Sequence, residues 1–235
     1  MIEIHDKRDC TGCSACVQRC PVNCISFDTD SQGFLYPEVD KDRCIGCNLC
    51  EKVCPVINQG KERDDITVYA AKNRNQPIQM ASSSGGVFFE IAKKIIHDGG
   101  IVFGARFDEN WNVVHSYTDN IEGLKAFMSS KYSQSIIGDN YRKTEEFLKQ
   151  GRTVLFSGTP CQIAGLKRFL MRDWGRRLVT VDVFCHGVPS PLVWSRYLAY
   201  LRENHGWDRI SSVRFRDKSN GWNSYSVTIK GGRGN

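Results

Sequence analysis

The chain has 235 residues, 40% of them hydrophobic, with 32 Lys and Arg against 26 Asp and Glu for a formal net charge of +6. That length suits a small module plus one ordinary domain, and no apolar run approaches the roughly 20 residues a membrane-spanning helix needs. No aromatic-plus-basic motif points to nucleic acid. The N-terminus carries Glu3, Asp6, Lys7, Arg8 and Asp9 in place of an apolar signal core, so no export signal is read and a cytoplasmic protein is expected.

Two cysteine runs come first in the chain: Cys10, Cys13, Cys16 and Cys20 before Pro21, and Cys44, Cys47, Cys50 and Cys54 before Pro55. Both have the bacterial ferredoxin spacing, in which three thiolates bind one cubane cluster and the fourth reaches across to the other. This assigns Cys10, Cys13, Cys16 and Cys54 to one [4Fe–4S] cluster and Cys44, Cys47, Cys50 and Cys20 to a second. Gly12 and Gly46 supply the left-handed backbone that such a tight loop requires. Structural zinc is the alternative, but zinc sites usually pair two Cys-x-x-Cys units without the triplet and trailing Cys-Pro. The copies are offset by 34 residues, which implies a pseudo-twofold module over residues 1–60. Cys24 aligns with Asn58, so it is expected to be a buried thiol outside the ligand set. Such clusters need a reducing interior.

Residues 1–60 carry a balance of −3 and the remainder +9. This allows steering toward acidic donors or phosphate-bearing ligands, or an ordinary solvated surface. The polar stretch 58–65 reads as a linker. Beyond it the pattern predicts a strand over 66–71 and a helix over 85–97 with Phe88, Ile91, Ala92 and Ile95 on one face. Strands over 101–107 and 111–117 follow, then a helix over 138–150. A buried strand over 153–157, a helix over 160–172, a strand over 178–184 and a helix over 191–204 come next. Strands over 210–216 and 225–230 close the pattern, with 231–235 too glycine-rich for a sheet. The fold class is α+β: a dicluster ferredoxin-like module, then an α/β domain with a mixed sheet over 66–235.

Three loops in the second part carry candidate chemistry. Ser82-Ser83-Ser84-Gly85-Gly86 precedes a helix and is either an anion site for a cofactor phosphate or a plain capped helix start. In Ser157-Gly158-Thr159-Pro160-Cys161-Gln162, a strand runs into a capped helix whose first turn holds Cys161, either a thiol activated by the helix dipole or a structural one. Cys185-His186-Gly187 follows another strand, and His186 is either a proton relay or a turn residue. Lys131, in a polar stretch, is either a cation for a phosphate or flavin, or an exposed loop lysine.

Together with 131–135, 156–167, 185–191 and 215–222, the segment 82–88 resembles the coenzyme F-420 hydrogenase/dehydrogenase beta-subunit family. The resemblance implies FAD between the iron–sulfur clusters and a hydride-accepting or hydride-donating small-molecule redox substrate. It also implies an electron-exchanging partner, such as a ferredoxin or a partner subunit. By the same resemblance Ser83, Ser84, Gly85, Gly86, Lys131, Thr159 and Gln162 form the flavin neighbourhood, and Cys161 and His186 lie near the reacting edge. Members of the family usually continue past 225–230, so a C-terminally truncated flavin domain is expected here. The rival expectations are a non-catalytic electron-transfer subunit, or a truncated product that keeps only the clusters.

Overall fold

The structure is a computed structural model and describes residues 1–60 and 65–233. Helix α1 (Ala15–Arg19) grows out of the first cysteine loop, and strands β1 (Ile25–Thr29) and β2 (Leu35–Val39) pair antiparallel. Helix α2 (Leu49–Lys52) grows out of the second cysteine loop. Ile2, Cys16, Cys20, Cys24, Ile25 and Cys50 are buried together, so much of this small core is thiol rather than hydrocarbon.

Residues 61–64, within the expected linker, lie outside the described residues. Residues 66–71 carry no strand: Ile66, Val68 and Tyr69 are β-prone side chains, yet are 74%, 86% and 82% exposed. Such a run makes a strand only where a neighbour completes the ladder. Two helices follow, α3 (Gln76–Ala81), capped by the Asn75 side chain, and α4 (Val87–His97). The buried face of α4 is centred on Phe89 and Ala92, one step from the expected face, and Ile91 is exposed.

A mixed sheet forms the body. Strand β3 (Ile101–Phe107) pairs antiparallel with β4 (Val113–Thr118). A short helix α5 (Ile121–Leu124) and helix α6 (Asn140–Lys149) lead to β5 (Val154–Gly158), which is parallel to β3. Helix α7 (Pro160–Leu170) then returns the chain to β6 (Leu178–Asp182), parallel to β5, giving the order β4-β3-β5-β6. Strand β6 stops short of the expected end at 184, and Phe184 is fully exposed. Helix α8 (Pro191–His205) precedes an antiparallel pair, β7 (Arg209–Asp217) and β8 (Ser226–Gly232). Gly231 and Gly232 therefore do lie in a strand. A Cβ on Gly231 would come within 2.3 Å of the Trp207 ring, so the ring packs where only glycine fits.

Both faces of the sheet are covered, as alternation on its central strands requires. Ile101, Phe103, Val154 and Phe156 share a core with Tyr141 and Leu148 of α6 and Ile163, Leu166 and Phe169 of α7. Val102 and Leu155 point the other way, onto Phe89, Ala92, Leu124 and Phe127. Cys13, Ala15 and Val53 of the cysteine-bearing part belong to the first of these cores, so it is shared by both parts. Gln18 joins them further: its Oε1 accepts from the Tyr141 N–H at 2.9 Å, and its carbonyl accepts from Arg142 Nε at 2.6 Å. No described helix is long and apolar enough to cross a membrane.

Gln18→Ala would leave the buried Tyr141 N–H without its acceptor. We expect a loss of about 1–3 kcal/mol of unfolding free energy, read by anaerobic denaturant titration.

Candidate redox site

The two cysteine loops share one backbone. Gly12 and Ser14 take φ of 63° and 71°, and Gly46 and Asn48, 34 residues later, take 66° and 55°. These paired left-handed turns curl each loop. In the first, the Gly12 N–H lies 3.5 Å from Cys10 Sγ, and from the N-terminal segment the Ile2 N–H donates to Cys50 Sγ at 3.2 Å.

The eight thiols divide between two pockets. Cys10, Cys13, Cys16 and Cys54 line a cavity of about 280 Å³. Cys20, Cys44, Cys47 and Cys50 line another, with the buried Cys24 beside them, its Sγ 3.4 Å from that of Cys20. Among the described residues no three His, Cys, Asp or Glu side chains converge to hold a single ion; the thiols stand around cavity walls instead. Burial pushes the Cys13 thiol up to about 11, and neighbouring thiolates, Cys161 included, push the same way. Burial also raises Cys10 and Cys16. Four cysteines of the two runs at each pocket, with Cys10, Cys13 and Cys16 reluctant to ionise alone, suit a polycationic iron–sulfide core, which would supply positive charge.

Strand β5 runs directly to this region. It ends at Gly158, Thr159 caps α7 and Pro160 takes its first position, because a proline there forfeits no helical hydrogen bond. Gln162 Oε1 accepts from Thr159 N–H at 2.9 Å, and the half-buried Cys161 Sγ sits 3.1 Å from Thr159 Oγ1. Gln162 Nε2 continues outward, donating to Ser135 Oγ at 2.9 Å, and Ser135 lies 2.8 Å from His115 Nδ1. The far nitrogen, Nε2 of His115, meets the Ser157 carbonyl at 3.0 Å. A carbonyl only accepts, so Nε2 carries the proton and Nδ1 accepts from the Ser135 hydroxyl. Burial holds the His115 imidazole neutral, with its pKa down to about 4 against the hydrogen bond to Ser157, which raises it. Sequence reasoning missed His115; the one signal was its position in phase with the buried Val113 on β4.

The serine–glycine loop is closely packed. A Cβ on Gly85 would lie 2.4 Å from the Ala71 carbonyl oxygen, and Asn73 N–H donates to the Gly85 carbonyl at 2.6 Å. Gly86, at φ 77°, is the N-cap of α4. Ser83 Oγ lies 2.7 Å from Ser130 Oγ, while Ser84 is exposed. Lys131 is not the exposed loop lysine of the simpler expectation. Its Nζ donates to the carbonyls of Ala126, Met128 and Ser129 at 2.7, 2.8 and 3.3 Å, which engages all three of its protons. Burial pulls its pKa down to about 7, while the three carbonyls favour the charged form. Lys218, also missed from sequence, donates to the Ser82 and Gln79 carbonyls and lies 3.7 Å over the Trp222 ring. Cys185 and His186 are exposed beyond β6, and no hydrogen bond among the described residues joins either to Cys161.

The pH dependence of stability follows from His115. Between about 4 and 6.5 the native state binds fewer protons than the unfolded chain, so stability falls as pH drops through that window. The loss at the acid end is about 3 kcal/mol. Unfolding midpoints across pH 4–7 should slope less steeply in His115→Gln than in the parent.

Residues 9–58 match the family model of the 4Fe-4S dicluster domain, and residues 151–234 match the model of the C terminus of the coenzyme F420 hydrogenase/dehydrogenase beta subunit. No match is found among curated proteins. Among solved structures, the chain is similar to one from the F420-reducing [NiFe] hydrogenase complex of Methanosarcina barkeri, at 16% identity and a TM-score of 0.45. The overlap covers 70% of this chain and 56% of that one, so the chain spans little more than half of that relative's length. The chain is thus similar over 9–58 to the 4Fe-4S dicluster domain and over 151–234 to the C terminus of the coenzyme F420 hydrogenase/dehydrogenase beta subunit.

Proposed function

We propose that this chain is the iron–sulfur electron-transfer part of an oxidoreductase, with Cys10, Cys13, Cys16 and Cys54 holding one [4Fe–4S] cluster and Cys20, Cys44, Cys47 and Cys50 the other. The observation that supports it most is the division of eight thiols between two pockets, four to each, from loops that cross in sequence. Bound there, each cluster supplies one-electron redox chemistry. The residues hold the thiolates, turn N–H groups toward them and keep water from Cys13 and Cys16. The module proposed for residues 1–60 serves a second domain over 66–235. A ferredoxin or a partner subunit exchanges electrons with it in the cytoplasm, and a small-molecule redox substrate stands at the other end.

A flavin would convert one-electron traffic to hydride chemistry. Of its expected neighbours, Ser84 is exposed and Thr159 and Cys161 are half-buried at the carboxyl end of β5, where ligand clefts of α/β sheets open. The donors of Lys131 and the amide of Gln162 are committed internally, and Gly85 is packed against the chain at Ala71. These residues do not fit FAD as they stand, and this favours the second reading, an electron-transfer subunit without its own flavin. In that reading Cys161 and the Thr159–Gln162 cap are positioning residues at the junction, and His186 is a turn residue.

Anaerobic reconstitution of the full chain separates the possibilities. We expect about eight irons and about eight sulfides per chain. Stoichiometric FAD in the same sample would return Ser83, Ser84, Thr159 and Cys161 to a flavin site, whereas none would leave the electron-transfer subunit. Zinc in place of iron would refute the cluster assignment.

A further inference from the structure

The two cysteine repeats share spacing and backbone, so differences between equivalent positions report what each one faces. Position 13 is buried, at 8% exposure, and its equivalent Cys47 is exposed. Ser14 and Ala15 are buried, whereas Asn48 is exposed and Leu49 half-buried. Gln18 is buried under α6, whereas Lys52 is exposed. The glycines repeat the contrast. A Cβ on Gly12 would meet Gln134 Nε2 at 2.7 Å, while one on Gly46 would meet nothing within 4 Å. Helix α7 covers the first loop: a Cβ on Gly165 would come within 3.0 Å of Cys13 Sγ and 3.2 Å of the Tyr141 hydroxyl. Among the described residues the second loop has no such cover, and Ile45 is 63% exposed at its tip.

We infer that the two thiol sites face opposite ways. Cys20, Cys44, Cys47 and Cys50 form the outward port, at which an external one-electron carrier is met. Cys10, Cys13, Cys16 and Cys54 form the inward site, coupled to the sheet through the contact between Cys13 and Gly165. The inference rests on the cluster assignment above and goes beyond it by breaking the equivalence that the sequence repeat implies. It does not require a flavin. Exchange at the port is of a single electron, with no bond made or broken and no proton moved; the reduced carrier is oxidised as the site gains the electron. The uncovered loop 45–49 shortens the distance to such a carrier, and the cover over 12–15 shields the inner site from the same encounter.

Electron paramagnetic resonance of the reconstituted, dithionite-reduced full chain tests this with a soluble dysprosium chelate as relaxing agent. The chelate should raise the half-saturation power of one cluster signal several-fold more than that of the other. Cys47→Ser should alter the strongly relaxed signal. Gly165→Ala, whose added methyl presses on Cys13, should alter the weakly relaxed one. Should Cys47→Ser lose a cluster, the strongly relaxed signal is the one that must disappear. Equal relaxation of both signals, or a Gly165→Ala change in the strongly relaxed signal, would overturn the inference and leave the cluster assignment standing. Absence of two cluster signals in the parent protein would overturn both.

Discussion

The close approach of helix α7 to the first cysteine loop is the contact on which the rest depends. Glycine at position 165 lets the helix lie against Cys13, and no larger residue leaves that spacing intact. Ala15 and Val53, both fully buried, extend the contact into the core under the sheet. Buried area and hydrogen bonds act on one seam here, with Gln18 tying α1 to α6. A small thiol-rich module buries little apolar surface of its own, and this seam gives it part of a larger core. The same seam places one thiol set beside the carboxyl end of β5, where Thr159 and Cys161 lie.

Order at that end is maintained by a polar chain with a buried His115 and Gln162, rather than by apolar packing alone. Ser157, His115, Ser135, Gln162 and Thr159 each use a donor or acceptor on the next, and the carbonyl at one end dictates the direction of every bond. Such a chain is stabilising only when complete, because each member left unpaired in the interior costs its full desolvation. It fixes the start of α7, and through α7 the surface presented to Cys13. The dependence runs from a neutral imidazole on β4 to the cover over a cysteine loop.

Much of this was legible in the sequence, and for physical reasons. Cysteine spacing is covalent geometry, so the two runs declared two four-thiol sets before any fold was known. Gly158, Thr159, Pro160 and Gln162 form a local strand-to-helix signature, and the structure places β5 and α7 around it. Failures came where distant partners decide the outcome. Residues 66–71 are β-prone but pair with no strand among the described residues, and Gly231 enters β8 by pairing with Ile210 of β7, its lack of a Cβ leaving room for the Trp207 ring. Neither the contact between positions 13 and 165 nor the inward turn of Lys131 onto three carbonyls has a local signature. The repeat says nothing of what surrounds each copy, and among the described residues α7 covers the first loop and not the second.

The central claim is that two four-thiol pockets, one covered by α7 and one not, each hold a multi-iron cluster. Anomalous X-ray scattering at the iron edge from anaerobically grown crystals of the full chain tests it most directly. The account predicts two separate iron centres. One should be ringed by Cys10, Cys13, Cys16 and Cys54 under α7, the other by Cys20, Cys44, Cys47 and Cys50 beneath the exposed loop. A single centre, or iron ligated by cysteines from one run alone, would contradict it.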